Sequence, residues 1–458
     1  MIVTCWLERA ALATPNRTAI DTPQGARTYA ELLTDARGGA AELARQGVAP
    51  GEHVAIALPP GLAFAQALHA CLLRGAVAVP VDLRLSTAER AHVTAGATTV
   101  LEEPLQLRGN AVRGDAGAGA EEDMGEGSPV GHKLTDTAVV IFTSGTTSAP
   151  KPVQLTYGNF LWSALGSAVA LGLDRERERW LCALPLAHVG GLSILMRSAI
   201  YGTTAVVHER FDTELVLRAL REQHITLVSL VATTLARLLD AGLEKPATLR
   251  CALTGGGPVP AALLDRAAAA GVPVSQTYGL TEACSQATTT PLAAIGRNAA
   301  AGTGWAGTPI FCTRVRIHDG EILLSGPTIA PASRDADGWL HTGDLGELDQ
   351  HGRLHVSGRA SETIISGGEN VSPSEVEAAL EAFPGVLEAA AIGRPDPRWG
   401  EAVTAIVVPR PGVVLEEEPL RAHCAATLAP YKVPKQIVLS QTQLPRTRSG
   451  KLLRRELT

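Results

Sequence analysis

Three segments rich in glycine and hydroxyl side chains have the composition of phosphate cradles. They are FTSGTTSAPKPV (142–153), TGGGP (254–258) and QTYGLTE (276–282). The first carries Thr143, Ser144, Thr146, Thr147 and Ser148, with Gly145 among them and Lys151 close behind. Hydroxyls, backbone N–H groups and one ammonium suit a polyphosphate. Each segment alone is more often a mere turn. All three follow expected strands, and in open α/β sheets ligands bind beyond the carboxyl ends of the strands. Together they point to one nucleotide site.

Familiar signatures do not account for them. Gly450-Lys451 lacks the earlier glycine of a Walker A loop, position 445 being proline, and lacks the following Ser or Thr. Gly302-Thr-Gly304-Trp-Ala-Gly307 matches GxGxxG, but a strand rather than a helix is expected after it. His208-Glu209 has no second histidine at HExxH spacing, and no GxSxG elbow occurs. Lysine is a minority cation: 34 of the 40 basic residues are arginine, and the lysines are 133, 151, 245, 432, 435 and 451. A position that keeps a compact ammonium in such a chain invites a functional question.

The elements expected to position these segments alternate. Strands are expected at Val54–Leu58, Val77–Val81, Val139–Phe142, Ala205–Val207, Thr226–Val231, Arg250–Leu253 and Pro273–Gln276, with helices between them. Thr28 with Glu31, and Ser86 with Glu89, have capping-box spacing. Leu32, Leu33, Ala36, Ala40 and Leu43 fall on one helical face. Such alternation predicts a mainly parallel sheet in a layered α/β fold. Residues 108–132, rich in Gly, Ala and acidic side chains, read as a surface loop. Beyond residue 305 the short alternating strands 313–317, 321–324 and 353–356 predict a meander or small barrel. From Gly358 the expected order is strand, helix, strand, strand, helix, strand. Ser372-Pro373-Ser374-Glu375 supplies an N-cap, a first-turn proline and a capping-box Glu.

The expected architecture is therefore a large N-terminal domain (1–357) of layered α/β subdomains with a small β-barrel-like part. A small α+β domain (358–458) follows it. Composition limits the alternatives. Net charge is −6, which argues against a broad nucleic-acid footprint. The seven cysteines form no CxxC pair, as expected of dispersed thiols in a cytoplasmic protein. No secretory signal pattern opens the chain, and Arg74 interrupts the most apolar run.

The ordered motifs resemble the adenylate-forming superfamily of acyl-CoA synthetases, nonribosomal adenylation domains and luciferases. They are the loop at 142–153, PLAHVGG (185–191), GGGP (255–258), QTYGLTE (276–282), HTGDLGEL (341–348), GRASETIISGGENVSP (358–373) and PRTRSGK (445–451). Within it, LPLAHVGGLSILMRSAIYG, HERFD and LRCALTGGGPVP are similar to the 2-succinylbenzoate–CoA ligase family of menaquinone biosynthesis.

The resemblance implies ATP, CoA and Mg²⁺ as cofactors and an aryl dicarboxylic acid as substrate. Thr143, Ser144, Gly145, Thr146, Thr147 and Lys151 would cradle the β- and γ-phosphates. Gly255, Gly256, Gly257 and Pro258, with Gln276, Thr277, Tyr278 and Gly279, would enclose adenine. Thr281 would touch the α-phosphate and Glu282 would hold Mg²⁺. Asp344 and Arg359 would take the ribose hydroxyls, and Lys451 would bridge the carboxylate and the α-phosphate. Gly367, Gly368 and Glu369 would approach the pantetheine during thioester formation. The small domain would be mobile, turning about Gly358–Ser361 between the two steps. His188, Ser193 and Arg197 would line the acid pocket, Arg197 as counter-charge to a second carboxylate. A homodimer is compatible with the family.

The chemistry is coherent. A carboxylate is a poor acyl donor until its attack on the α-phosphorus of ATP turns it into a mixed anhydride. Crowded negative charge at that centre calls for a metal and a fixed cation, the roles given to Glu282 and Lys451. Plainer readings exist: Glu282 as helix-start charge, Lys451 as part of a basic tail, Asp344 and Arg359 as turn charges, Arg197 as a solvated charge, His188 as a core histidine. Ser148 and Pro152 stand where relatives carry glycine, and a non-catalytic nucleotide-binding protein would tolerate both. A ligase for another aryl or short-chain acid is the other alternative. An amino-acid adenylation domain fits less well, because PLAHVGG lacks the Asp expected for a substrate ammonium.

Overall fold

The computed structural model describes residues 1–106, 130–143, 150–244, 246–295, 305–446 and 452–457. Two sheets form the large part. In the first, the parallel strands Val274–Tyr278, Cys251–Thr254, Leu227–Leu230, Arg179–Cys182, Thr204–Val207 and Thr18–Thr22 lie side by side in that order. Short antiparallel strands finish both edges: Gly25–Thr28 at one, Thr288–Thr289 and Thr308–Pro309 at the other. The second runs Thr99–Leu101, His53–Ile56, Val77–Pro80 and Thr137–Thr143, all parallel, with Lys151–Thr156 antiparallel on its edge. The central strands are mostly apolar and, apart from Arg179, buried, as expected when both faces are covered.

The helices lie where periodicity places them. Thr28–Glu31 and Ser86–Glu89 both close as capping boxes, starting Tyr29–Arg45 and Thr87–Thr94. One large core gathers Trp6, Tyr29, Leu43, Phe64, Leu68, Phe160, Trp180 and Leu192 between the sheets. Tyr29 is fully enclosed, and its hydroxyl bonds the carbonyls of Ser198 and Thr203 at 2.7 and 2.6 Å.

Four antiparallel strands, Arg314–His318, Glu321–Ser325, Leu340–Leu348 and Leu354–Arg359, form an open meander. Of the two forms expected here, meander or small barrel, the described residues take the meander. The outer strand meets residues 305–307, through Ala306 N–H to Leu354 O and Leu354 N–H to Gly307 O. That seam leads into strand Thr308–Pro309 and ties the meander to the large sheet.

The last sheet orders Glu369–Val371, Ile364–Ser366, Gly400–Pro409 and Val386–Asp396, with Gln436–Leu439 on the other side of Gly400–Pro409. Helices Pro373–Glu381 and Glu417–Thr427 pack over its own core of Val376, Leu380, Val403, Ala405, Leu420 and Cys424. A hairpin thus replaces the single strand expected at its start.

Two local expectations are corrected. Ser372 caps Pro373–Glu381 by position, but no capping box forms. Its hydroxyl donates to the Ser357 carbonyl, and Glu375 pairs with Lys432 at 2.6 Å, so tertiary partners outcompete the local bond. Of the expected surface loop 108–132, residues 108–129 lie outside the described residues. Its end is the strand Gly131–Lys133, paired with Ile2–Thr4.

Candidate active site

Three connections leave the carboxyl edge of the large sheet together. Residues 255–258 follow Cys251–Thr254, Gly279 follows Val274–Tyr278, and residues 183–188 follow Arg179–Cys182. The first two run side by side, with Thr254 opposite Gln276 in register. A Cβ at Gly255 would sit 2.7 Å from the Thr277 carbonyl oxygen, so only glycine lets the loops touch. Gly256 has φ +81°, a conformation open to glycine. Gly257 faces open space, and Pro258 follows it. The loop is close-packed on one side and open on the other.

The QTYGLTE segment is tighter. A Cβ at Gly279 would fall 1.5 Å from the Ser285 carbonyl oxygen. The chain reverses there through the short helix Thr281–Ala283 and two left-handed non-glycine residues, Cys284 (φ 54°) and Ser285 (φ 90°). The Glu282 backbone carbonyl accepts from Ala330 N–H at 2.7 Å. Thr281 and Glu282 are half-buried, and the Glu282 carboxylate has no side-chain partner among the described residues.

Tyr278 reaches from this segment to the meander. Its hydroxyl donates to Asp344 Oδ2 at 2.8 Å, and Arg359 Nε lies 2.9 Å from Asp344 Oδ1. Asp344 and Arg359 are register partners on neighbouring strands. Burial, then the Asp344 carboxylate, pushes the Tyr278 hydroxyl well above the usual phenol range, so it stays a donor.

The hairpin of the first cradle starts at Thr143 and returns at Lys151, its register partner. Thr143 Oγ1 donates to the Lys151 carbonyl at 3.4 Å, and Lys151 is exposed. Ser144, Gly145, Thr146, Thr147 and Ser148 lie outside the described residues, as does Lys451. The returning strand Lys151–Thr156 lies next to the short helix Thr281–Ala283. Pro152 belongs to that strand, not to the loop. The strand is the outermost of its sheet, where a missing N–H is tolerated. Its departure from glycine is no argument against nucleotide binding.

His188 stands at the N-cap of helix Val189–Tyr201, with Arg84 Nη2 at 3.4 Å and Asp82 Oδ2 at 3.7 Å from its Nε2. Burial raises the Asp82 pKa, but the Arg84 guanidinium and backbone N–H, with His188, outweigh it and hold the carboxyl below its usual value. Sequence reasoning missed Asp82 and Arg84, because nothing local marks the end of Val77–Pro80 as facing a helix a hundred residues on. Ser193 is buried inside the helix and donates to Gly190 O at 3.3 Å.

For Arg197 it is the plainer reading, a solvated charge, that is corrected. The helix is buried all round, so Arg197 does not project to solvent. It is 2% exposed, donates to Ser163 Oγ at 3.0 Å and lies over the Trp180 ring.

Gly367 and Gly368, both at positive φ, turn the hairpin that leads into Glu369. Gly367 N–H donates to Trp399 O at 2.7 Å, and Arg398 and Lys435 lie over the Trp399 ring at 4.8 and 5.1 Å. Sequence reasoning also missed this group; an Asp-Pro-Arg-Trp-Gly turn was its faint signal.

The geometry fits a nucleotide: an open glycine loop, a half-buried phenol, and a carboxylate–guanidinium pair able to engage vicinal hydroxyls. The donor set also fits Mg²⁺, which is commonly held by one or two carboxylates plus substrate phosphates. Among the described residues no cluster of three or more His, Cys, Asp or Glu side chains could hold a metal alone. No described helix is long and apolar enough to cross a membrane, and all seven cysteines are unpaired.

Comparisons with known proteins agree with this geometry. The AMP-binding enzyme model matches residues 7–332, and the AMP-binding enzyme C-terminal domain model matches 375–451. The 2-succinylbenzoate–CoA ligase of Bacillus licheniformis is 39% identical, over 99% of this chain and 98% of its own. The o-succinylbenzoate CoA synthetase of Bacillus subtilis, in complex with the acyl-adenylate intermediate OSB-AMP, has a TM-score of 0.88 at 36% identity, covering 100% of this chain and 98% of that one. A double mutant of that synthetase bound with its product analogue OSB-NCoA scores 0.72, again at 36% identity, covering 100% and 99%. With nearly the whole chain matched at this level, the protein belongs to the AMP-binding enzyme family of acid–CoA ligases.

Proposed function

We propose that this protein is a 2-succinylbenzoate–CoA ligase, converting 2-succinylbenzoate, ATP and CoA into 2-succinylbenzoyl-CoA, AMP and diphosphate. The observation that carries the reading is the end-to-end match to ligases of that name, at 39% identity and with both domains present.

The residues divide the work. Gly255–Pro258 and Gln276–Gly279 receive adenine, Gly257 leaving the open side. Asp344, fixed by Tyr278 and Arg359, accepts from the ribose hydroxyls. Thr143 and Lys151, with Ser144, Gly145, Thr146 and Thr147, take the β- and γ-phosphates. Thr281 donates to the α-phosphate and Glu282 holds Mg²⁺, which neutralises phosphate charge when bound. The succinyl carboxylate attacks the α-phosphorus, pyrophosphate leaves, and Lys451 balances the charge that builds. The CoA thiol then displaces AMP.

His188 and Ser193 belong to the acid pocket in this reading. The turn Gly367–Gly368 guides the pantetheine, and Trp399 with its two cations offers a face and charge to the nucleotide end of CoA. Residues 1–357 and 358–458 act as two domains. The higher likeness to the acyl-adenylate complex than to the product-analogue complex supports an arrangement suited to the first step. Cytoplasmic localisation and a homodimer belong to the same reading.

ATP–pyrophosphate exchange with a panel of acids, followed by thioester detection, tests it. Exchange strongest with 2-succinylbenzoate is expected. Preference for another acid would reassign the substrate, and no exchange with any acid would remove the ligase reading.

A further inference from the structure

We infer that Arg197 is a positioning residue, acting on the adenylation step through the turn that carries Thr281 and Glu282. The inference rests on the ligase reading above. Two independent observations lead to it.

The first is a buried cation without a counter-ion. Arg197 is 2% exposed, yet it makes no ion pair among the described residues, and its Nε has no hydrogen-bond partner there. Burying a charge is costly unless it is paired or fully hydrogen-bonded. Burial lowers its pKa, with Tyr201 and Cys284 acting the other way. Core packing alone would be served by Met or Leu at this position.

The second is a strained reversal. Cys284 and Ser285 adopt left-handed backbone conformations that non-glycine residues seldom take. Such residues persist when their surroundings over-determine them, and they cluster at functional sites. The reversal is pinned from several sides. Ala330 N–H holds the Glu282 carbonyl at 2.7 Å, and Ser285 N–H reaches the Leu280 carbonyl at 3.2 Å. The Cys284 carbonyl accepts from Ser163 Oγ at 2.7 Å.

Ser163 joins the two observations. Its hydroxyl has one hydrogen, which goes to the Cys284 carbonyl, so it receives Arg197 Nη2 at 3.0 Å as an acceptor. A hydroxyl that accepts from a cation becomes a better donor, because hydrogen-bond chains polarise one another. Arg197 thereby strengthens the bond that fixes the end of the turn. Trp180, beneath the guanidinium, holds the arginine in place. Three separate elements, helix Val189–Tyr201, helix Tyr157–Leu171 and the turn, are linked by this relay.

The test measures ATP–pyrophosphate exchange as a function of Mg²⁺, with Ser163→Ala, Arg197→Met, Arg197→Lys and the double variant. Each is run with 2-succinylbenzoate and with the analogue lacking the ring carboxylate. Ser163→Ala and Arg197→Met should each lower kcat roughly 10–100-fold and raise the Mg²⁺ needed for half-saturation, as supporting partners of a metal ligand do. Both acids should lose equally, the double variant should lose little more than either single one, and Arg197→Lys should recover part of the rate. Circular dichroism of Ser163→Ala, a small change, shows that the fold is kept. A loss confined to the diacid would overturn the inference in favour of direct substrate contact. Unchanged Mg²⁺ dependence, or additive losses, would overturn it in favour of packing. A wild type inactive with every acid would instead sink the ligase reading.

Discussion

The Tyr278 hydroxyl and the Asp344 carboxylate meet at 2.8 Å across 66 residues of sequence, and this bond joins the large sheet to the meander. It holds Asp344 with one oxygen on the phenol and the other on Arg359. The carboxylate that would face a ribose is therefore fixed before any nucleotide arrives. Preorganised acceptors avoid ordering costs at the moment of binding.

Asp344→Ala should raise the KM for ATP by roughly 10–100-fold, the scale of losing a charged hydrogen bond of about 1.5–3 kcal/mol. Tyr278→Phe removes only the orienting bond and should raise it less. Steady-state kinetics at saturating acid checks both. Equal effects would place the phenol itself on the nucleotide.

Lys451→Ala should slow acyl-adenylate formation by about 10²–10³, the usual scale for one lost electrostatic donor at a transition state. Thioester formation from supplied acyl-adenylate should fall much less. Rapid-quench measurement of the two half-reactions separates them, and parallel losses would remove the assigned role.

Ser357 immediately precedes the linker Gly358–Ser361, and Ser372 and Ser374 lie beyond it, at the start of helix Pro373–Glu381. The Ser357 carbonyl accepts from both Ser372 and Ser374, the latter at 2.5 Å. If the small domain turns about this linker, both bonds must break. Replacing Ser372 and Ser374 together by Ala should slow adenylation roughly 3–10-fold, the effect of losing bonds worth about 1 kcal/mol. The thioester step should be spared. Small-angle scattering should show a shifted domain arrangement; unchanged half-reactions would show that these bonds do not select one.

Glu381 gives a pH prediction. Burial, then the neighbouring Glu377 carboxylate, raises its pKa from 4.5 to about 7. Folding therefore favours the protonated acid. Its contribution to stability is fully present below the unfolded value and is lost as pH rises through about 7. Glu381→Gln, permanently neutral, should match wild type near pH 5 and unfold at higher temperature near pH 8. The gain should be at most about 3 kcal/mol. Calorimetry at both pH values measures it; a gain at pH 5 alone would reverse the sign.

Much of the fold was legible because its signals are local. Strands such as Val77–Pro80 and Cys251–Thr254 are short apolar runs bounded by turns, and the boxes at Thr28 and Ser86 close within one helical turn. The glycines at 255 and 256 were legible as a loop for the same reason. What only the tertiary structure decided involves partners distant in sequence. Arg197 has arginine's ordinary look of a surface residue, and nothing near it shows that its helix is enclosed on every side. Ser372 has the spacing of a capping box, but the Ser357 carbonyl, 15 residues away, takes its hydroxyl. Asp82 and Arg84 meet His188, and Trp399 meets Gly367 and Lys435, only because distant segments are brought together. Sequence by itself determined which chemistry the chain carries, since that depends on residue types at short spacing. Burial and long-range pairing determined how the charges are held, since a side chain's electrostatic surroundings exist only once the chain has closed around it.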